Sequence, residues 1–228
     1  MLKKISCLFL LVFFIACSST RNTSTSKIPG ARVKLTTDSG VIVLRLYNQT
    51  PLHRDNFLKL VKQHYFDSLL FHRVIKNFMI QGGDPESKNA KPGILLGNGG
   101  PPYTIPAEFD TSLFHKKGVL AAAREGDNVN PKKASSGSQF YIVQGKKFTD
   151  AGLDSVETFR LKGRKIPLSH REVYKTIGGT PHLDMSYTVF GEVESGLDVV
   201  DKIASASRDS NNRPLTDIRM KMKILRKK

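Results

Sequence analysis

The chain has 228 residues, 36 Lys and Arg against 20 Asp and Glu, a formal net charge of +16, and two cysteines. That length suits one domain with appendages, and two cysteines exclude a disulfide-built scaffold. The basic side chains are scattered, densest at Arg226-Lys227-Lys228 and without interleaved aromatics, so no nucleic-acid partner is expected. Anionic lipid headgroups or acidic clients suit the charge better.

Residues 1–16 begin with Lys3-Lys4, continue through an apolar run from Ile5 to Ile15, and end at Ala16 before Cys17. A basic start, a short apolar run and a small residue at the cut describe a secretory signal peptide. The run is too short to span a bilayer comfortably. Phe14-Ile15-Ala16-Cys17 resembles the lipobox of bacterial lipoproteins, with Phe14 in place of the usual Leu; an ordinary signal peptide with an incidental cysteine is the other reading. On the lipobox reading Cys17 is lipidated, and residues 17–30 form a flexible tether rich in Ser, Thr and Asn. The implied location is the bacterial cell envelope, on the periplasmic side of the outer membrane. Cleavage removes Lys3, Lys4 and Cys7, leaving one cysteine and no disulfide.

Arg32 to Thr37 and Val41 to Tyr47, joined by Asp38-Ser39-Gly40, read as a hairpin. Thr50 as N-cap and Pro51 as first helical residue start a helix over Pro51 to His64, with Phe57, Leu60 and Val61 on its apolar face. Phe71 to Pro85 (FHRVIKNFMIQGGDP) reads as strand, turn and strand. Its Arg73 stands among large apolar residues, where an arginine needs a carboxylate partner at a barrel rim or a ligand. Residues 85–102 are dense in Gly and Pro, an irregular connection of the kind that forms functional surfaces.

Gly118 to Arg124 and Ser138 to Val143 read as strands, with a polar loop from Glu125 to Lys133. Residues 148–181 carry a weak helical pattern over Asp150 to Leu161, and Pro167 and Gly178-Gly179 break the rest. Tyr187 to Val193 reads as a strand. Ser195 and Asp198 form a capping box for a second helix whose apolar face is Leu197, Val200, Ile203 and Ala204. Ile218, Met220, Met222 and Ile224 alternate with basic residues in a last strand. Many short strands with two helices indicate a mostly β fold, a closed barrel with helical lids. The six histidines show no metal-ligand spacing and read as surface or rim residues; no metal or cofactor is expected.

Phe71, His72, Arg73, Ile75, Phe78, Met79, Gln81, Gly82, Gly83 and Asp84 closely resemble the signature of the cyclophilins, a class of peptidyl-prolyl isomerases. Three further blocks follow in the family's order: Tyr103 to Phe109, Ser135 to Ile142, and Leu183-Asp184 with Tyr187 to Val193. The resemblance runs from Ala31 to Leu225 and implies a domain over 31–228 built as a closed eight-stranded antiparallel β-barrel capped by two α-helices. About thirty extra residues, at 148–181, intervene where the family has a short loop. Their ends lie next to the site, from where the insertion could overhang the groove; it is expected to modulate client choice and leave the chemistry alone.

By resemblance, Arg73 and Gln81 are catalytic; Phe78, Met79, Tyr141 and Leu183 form an apolar cup for the proline ring. Ala123, Arg124 (through its backbone), Gln139, His182 and Tyr187 complete the substrate-binding set. Three residues depart from the family: Tyr141 stands for Phe, Arg124 for Asn, and His182 for the Trp of cyclosporin-sensitive members. The implied substrates are X-Pro bonds of exported polypeptides, turned over by a monomer. A non-catalytic proline-peptide binding or holdase module on the same fold is the alternative, disfavoured because binding alone does not require Arg73.

Overall fold

A computed structural model describes residues 30–226. The expected signal peptide, Cys17 and the tether up to residue 29 lie outside the described residues, as do Lys227 and Lys228.

Alternation in β1 (Arg32–Thr37) and β2 (Gly40–Leu46) puts Val33, Leu35, Ile42, Leu44 and Leu46 on one face, all fully buried. Helix α1 (Pro51–Lys62) buries His53, Phe57, Leu60 and Val61 against that face. Thr50 does not cap it, and its buried hydroxyl has no hydrogen-bond partner among the described residues. Glu108 caps it instead: its carboxylate accepts the Leu52 and His53 backbone N–H groups at 3.0 and 2.9 Å, a favourable charge at a helix start.

The expected hairpin forms as β3 (Arg73–Ile75) and β4 (Met79–Gly82), turned by Asn77 at φ 64°. The other strands are β5 (Thr104–Ile105), β6 (Val119–Ala122), β7 (Ser135–Ser136), β8 (Phe140–Val143), β9 (Val189–Ser195) and β10 (Met220–Leu225). Eight of them form one antiparallel sheet in the order β10-β1-β2-β9-β6-β8-β4-β3. It curls around a core in which the rings of Phe57, Phe66, Phe140 and Phe190 lie 5.0–5.7 Å apart.

The closed barrel expected from the sequence is corrected to an open, curled sheet. Its edges, β3 and β10, are joined by one isolated bridge, Leu70 to Arg219, and by backbone bonds such as Phe71 N–H to Ile218 O at 3.0 Å. The segment before β3 turns twice, with His64 and Ser68 at φ 56° and 70°, so no extended strand is there to complete the ladder.

There are also four α-helices among the described residues rather than two. Helix α2 (Asp150–Phe159) matches the expectation and is capped by the Thr149 hydroxyl; α3 (Leu168–Thr176) does not appear in the sequence pattern. Leu153, Ile166 and Tyr174 give this insertion a small core of its own, packed on Phe114 and Phe148. Helix α4 (Leu197–Ala204) buries Val199, Val200, Ile203 and Ala204. The expected capping box is absent: Ser195 ends β9, and Gly196 begins the helix at φ 93°, where a Cβ would meet Val41 O at 2.4 Å.

Candidate active site

The strands have two buried faces. Val74, Ile80, Leu120, Phe140 and Ile142 point into the core, so their neighbours emerge on the outer face. Antiparallel register sets Arg73 opposite Gln81, Gln81 opposite Tyr141, and Tyr141 opposite Ala121. Met79, Tyr141, Val143, Ala123 and Val189 form a second apolar cluster there, joined by Phe78, Leu183 and Tyr187.

Over this cluster lies a cavity of about 330 Å³ lined by Arg73, Phe78, Met79, Gln81, Ala123, Arg124, Tyr141, Leu183 and Tyr187, together with His72 and residues 95–98. A second hollow, sharing Gln81, Ala123 and Arg124, carries the groove past Gln139 and Tyr103. His182 is not in the cavity lining; it stacks on Phe78 with ring centroids 5.7 Å apart. No residue of 148–181 lines either hollow.

Arg73 is half-buried, and burial lowers its guanidinium from the ordinary value. Among the described residues it makes no ion pair with a carboxylate, which removes the rim-pair explanation for it. It is held by amides instead. Arg73 Nη1 donates to Gln81 Oε1 at 3.1 Å, and Gln81 Nε2 donates to Gln139 Oε1 at 3.0 Å. Gln139 Nε2 then donates to the carbonyls of Gly97 and Gly99, both at 2.8 Å. This neutral chain orients the cation without neutralising it, so its charge stays available to the cavity.

The facing wall is braced by Arg124. Its guanidinium donates to Ser186 O at 2.7 Å, pairs with Asp127, and lies 4.5 Å from the Tyr187 ring centroid. Tyr187 in turn meets Tyr141 edge-on at 5.9 Å. Arg124 therefore acts through its side chain on the wall, a contact its sequence position did not reveal.

Three histidines read as surface or rim residues are buried: His53, His72 and His115. His72 lines the cavity with neither ring nitrogen partnered among the described residues, and burial pushes its pKa down to about 4. His115 lies between Tyr141 Oη, 2.9 Å from Nε2, and Asp184 Oδ1, 2.9 Å from Nδ1. His53 lies between Glu108 Oε2 at 2.7 Å and Ser135 Oγ at 2.9 Å. That Ser-His-Glu order suggests hydrolysis, but Ser135 is buried and the hollow beside His53 holds only about 10 Å³, less than an acyl group needs. What remains is a fixed cationic donor at the mouth of an apolar cup.

Residues 32–224 match the family model described as cyclophilin type peptidyl-prolyl cis-trans isomerase/CLD. A putative peptidyl-prolyl cis-trans isomerase of Staphylococcus aureus is 33% identical over 188 residues, 82% of this chain and 87% of that protein. A putative bifunctional phosphatase/peptidyl-prolyl cis-trans isomerase of Streptococcus pyogenes is 34% identical over 192 residues, 83% of this chain; the match spans 37% of that longer protein. A crystal structure of a Cryptosporidium parvum cyclophilin type peptidyl-prolyl cis-trans isomerase superposes with a TM-score of 0.62 at 23% identity, covering 87% of this chain and 99% of that one. The same protein has been crystallised in the presence of the dipeptide Ala-Pro, with a TM-score of 0.61.

Proposed function

The chain belongs to the cyclophilin-type peptidyl-prolyl cis-trans isomerases, and from that premise we propose that it isomerises X-Pro bonds of exported proteins while tethered to the cell envelope through Cys17. Prolyl isomerisation needs no nucleophile, metal or proton donor. Its barrier of about 20 kcal/mol comes from amide resonance. A catalyst must favour the twisted amide over both planar forms. Twisting localises a lone pair on the prolyl nitrogen, and a fixed cation beside that atom strengthens its interaction only then.

In this reading Arg73 supplies the cation, Gln81 and Gln139 hold it, and Phe78, Met79, Tyr141 and Leu183 seat the proline ring. His182 lines the outer side of Phe78, and Ala123, Arg124 and Tyr187 border the bound peptide. The observation that carries the reading is Arg73, partly desolvated and held by amides alone beside an apolar cavity. Proline-containing peptides as ligands agree with the Ala-Pro dipeptide used with the Cryptosporidium parvum relative. A protease-free isomerisation assay on a proline tetrapeptide tests the chemistry; a folded chain that binds the peptide without turnover would replace this reading with the holdase one.

The lipid anchor and the exported clients rest on the sequence around Cys17. Mass spectrometry of the mature protein is expected to find a diacylglyceryl-modified Cys17 at the N-terminus. An intact Met1, or an unacylated terminus elsewhere, would rule out the anchor.

A further inference from the structure

Building on the isomerase reading, we propose that Tyr174 of the insertion is a positioning residue for Tyr141, acting through Asp184 and His115. Tyr141 is one of the aromatic residues lining the cavity, and unlike a phenylalanine it brings a hydroxyl that needs a partner once buried. That partner is His115 Nε2, 2.9 Å away. His115 is itself fully buried, and its Nδ1 lies 2.9 Å from Asp184 Oδ1, the oxygen that also accepts the His115 backbone N–H at 2.8 Å.

The carboxylate selects the tautomer of a neutral imidazole: with Nδ1–H donating to Asp184, Nε2 is left as an acceptor for the Tyr141 hydroxyl. The other carboxylate oxygen, Asp184 Oδ2, accepts the Tyr174 hydroxyl at 2.7 Å. Tyr174 belongs to α3 and is fully buried in the insertion's own core. Four side chains from separate parts of the chain thus form one unbroken row ending at the proline cup.

Two backbone contacts show that the insertion is seated on this row. Thr180 N–H donates to His115 O at 2.8 Å, and Arg164 Nη2 donates to Asp184 O at 2.6 Å. At Gly179, near the end of the insertion, a Cβ would stand 2.2 Å from His115 O and 2.6 Å from the Tyr174 ring, so nothing larger than glycine permits the approach. Asp184 also directly follows Leu183, another residue lining the cavity. The insertion supports the pocket from behind, and its removal strips Asp184 of two partners.

The experiment is a double-mutant cycle on the full chain: Tyr174→Phe and Tyr141→Phe, singly and together, with kcat and KM for a proline tetrapeptide. Tyr174→Phe should raise KM about fivefold in the wild-type background, within the coupling range of residues in one network. It should leave KM unmoved once Tyr141 is already Phe, because the row then has no hydroxyl to hold. A purely structural Tyr174 would give the same KM effect in both backgrounds; that result, or no effect in either, overturns the proposal. Wild-type turnover in the same assay reports separately on the isomerase reading. A second measurement needs neither turnover nor a variant that folds: the Tyr141 hydroxyl proton of the wild type in NMR. A slowly exchanging resonance with contacts to the His115 ring supports the row, and a freely exchanging hydroxyl overturns it.

Discussion

Replacing Arg73 by alanine should separate catalysis from folding. In the folded protein the side chain makes one neutral-acceptor hydrogen bond, to Gln81 at 3.1 Å, and pairs with no carboxylate among the described residues. Its removal therefore strands no buried charge, and the stability lost should be about 1 kcal/mol, the net worth of one hydrogen bond. Turnover loses more. A fixed donor aimed at charge that develops in the transition state is worth about 3 kcal/mol, roughly a hundredfold or more in rate. Arg73→Lys should recover little, because an ammonium cannot both meet Gln81 and present a planar fork to the prolyl nitrogen. Isomerisation rate, peptide affinity and denaturant unfolding of wild type and both variants decide it. The reasoning fails if Arg73→Ala keeps a third or more of the wild-type rate, or if affinity falls as steeply as turnover.

Cyclosporin should bind poorly and more tightly after His182→Trp, since the imidazole stacked on Phe78 at 5.7 Å offers less area than an indole; equal titrations of the two proteins would refute this. Stability should fall as pH drops from about 6.5 towards 4. Burial holds the folded His72 at about 4, so within that window the unfolded chain takes up a proton that the folded chain refuses. The sign makes this stability complete above the unfolded pKa and lost below it, on the order of 3 kcal/mol for His72 at about 1.4 kcal/mol per pH unit. Denaturant midpoints at several pH values test it, and His72→Gln should flatten the slope; an unchanged slope counts against the assignment. Glu157, held at about 2 chiefly by Lys165, adds a separate loss only below about 4.5, as its ion pairs in the insertion are protonated away.

Where local pattern and local partners agree, the sequence is readable. The hairpin around Arg73 follows from two short apolar runs and a turn-forming Asn77, and the register of β3 on β4 then sets Arg73 against Gln81. Helix α3 is unreadable because its contacts are not an apolar stripe. Leu168 is 81% exposed, and much of its docking is ionic, Arg171 reaching Asp150, Asp154 and Glu157. His115 sits in a Phe-His-Lys-Lys run that looks like surface; its partners are 26 and 69 residues away. The cap of α1 shows the same thing, with a nearby threonine idle and a distant glutamate bonded. A linear pattern carries periodicity, and these polar pairings have none.

The seam in the sheet bears on how stiff the reacting cation can be. Arg73 stands on a strand of three residues at the sheet's edge, laddered on one side only, to β4. On the other side the Val74 N–H is held by Asn212 O at 2.8 Å, in a loop clasped by Arg213 through the carbonyls of Ala90, Lys91 and Ile94 and the carboxylate of Asp217. Edge strands with few cross-strand bonds open at lower free energy than central ones, so deuterium should enter at Val74 well before it enters β8. The amides of Gln81 and Gln139 thus lend the arginine the rigidity of the sheet's interior. A substitution that loosens the 209–217 loop would reach the reaction by softening β3, with no contact to the bound peptide.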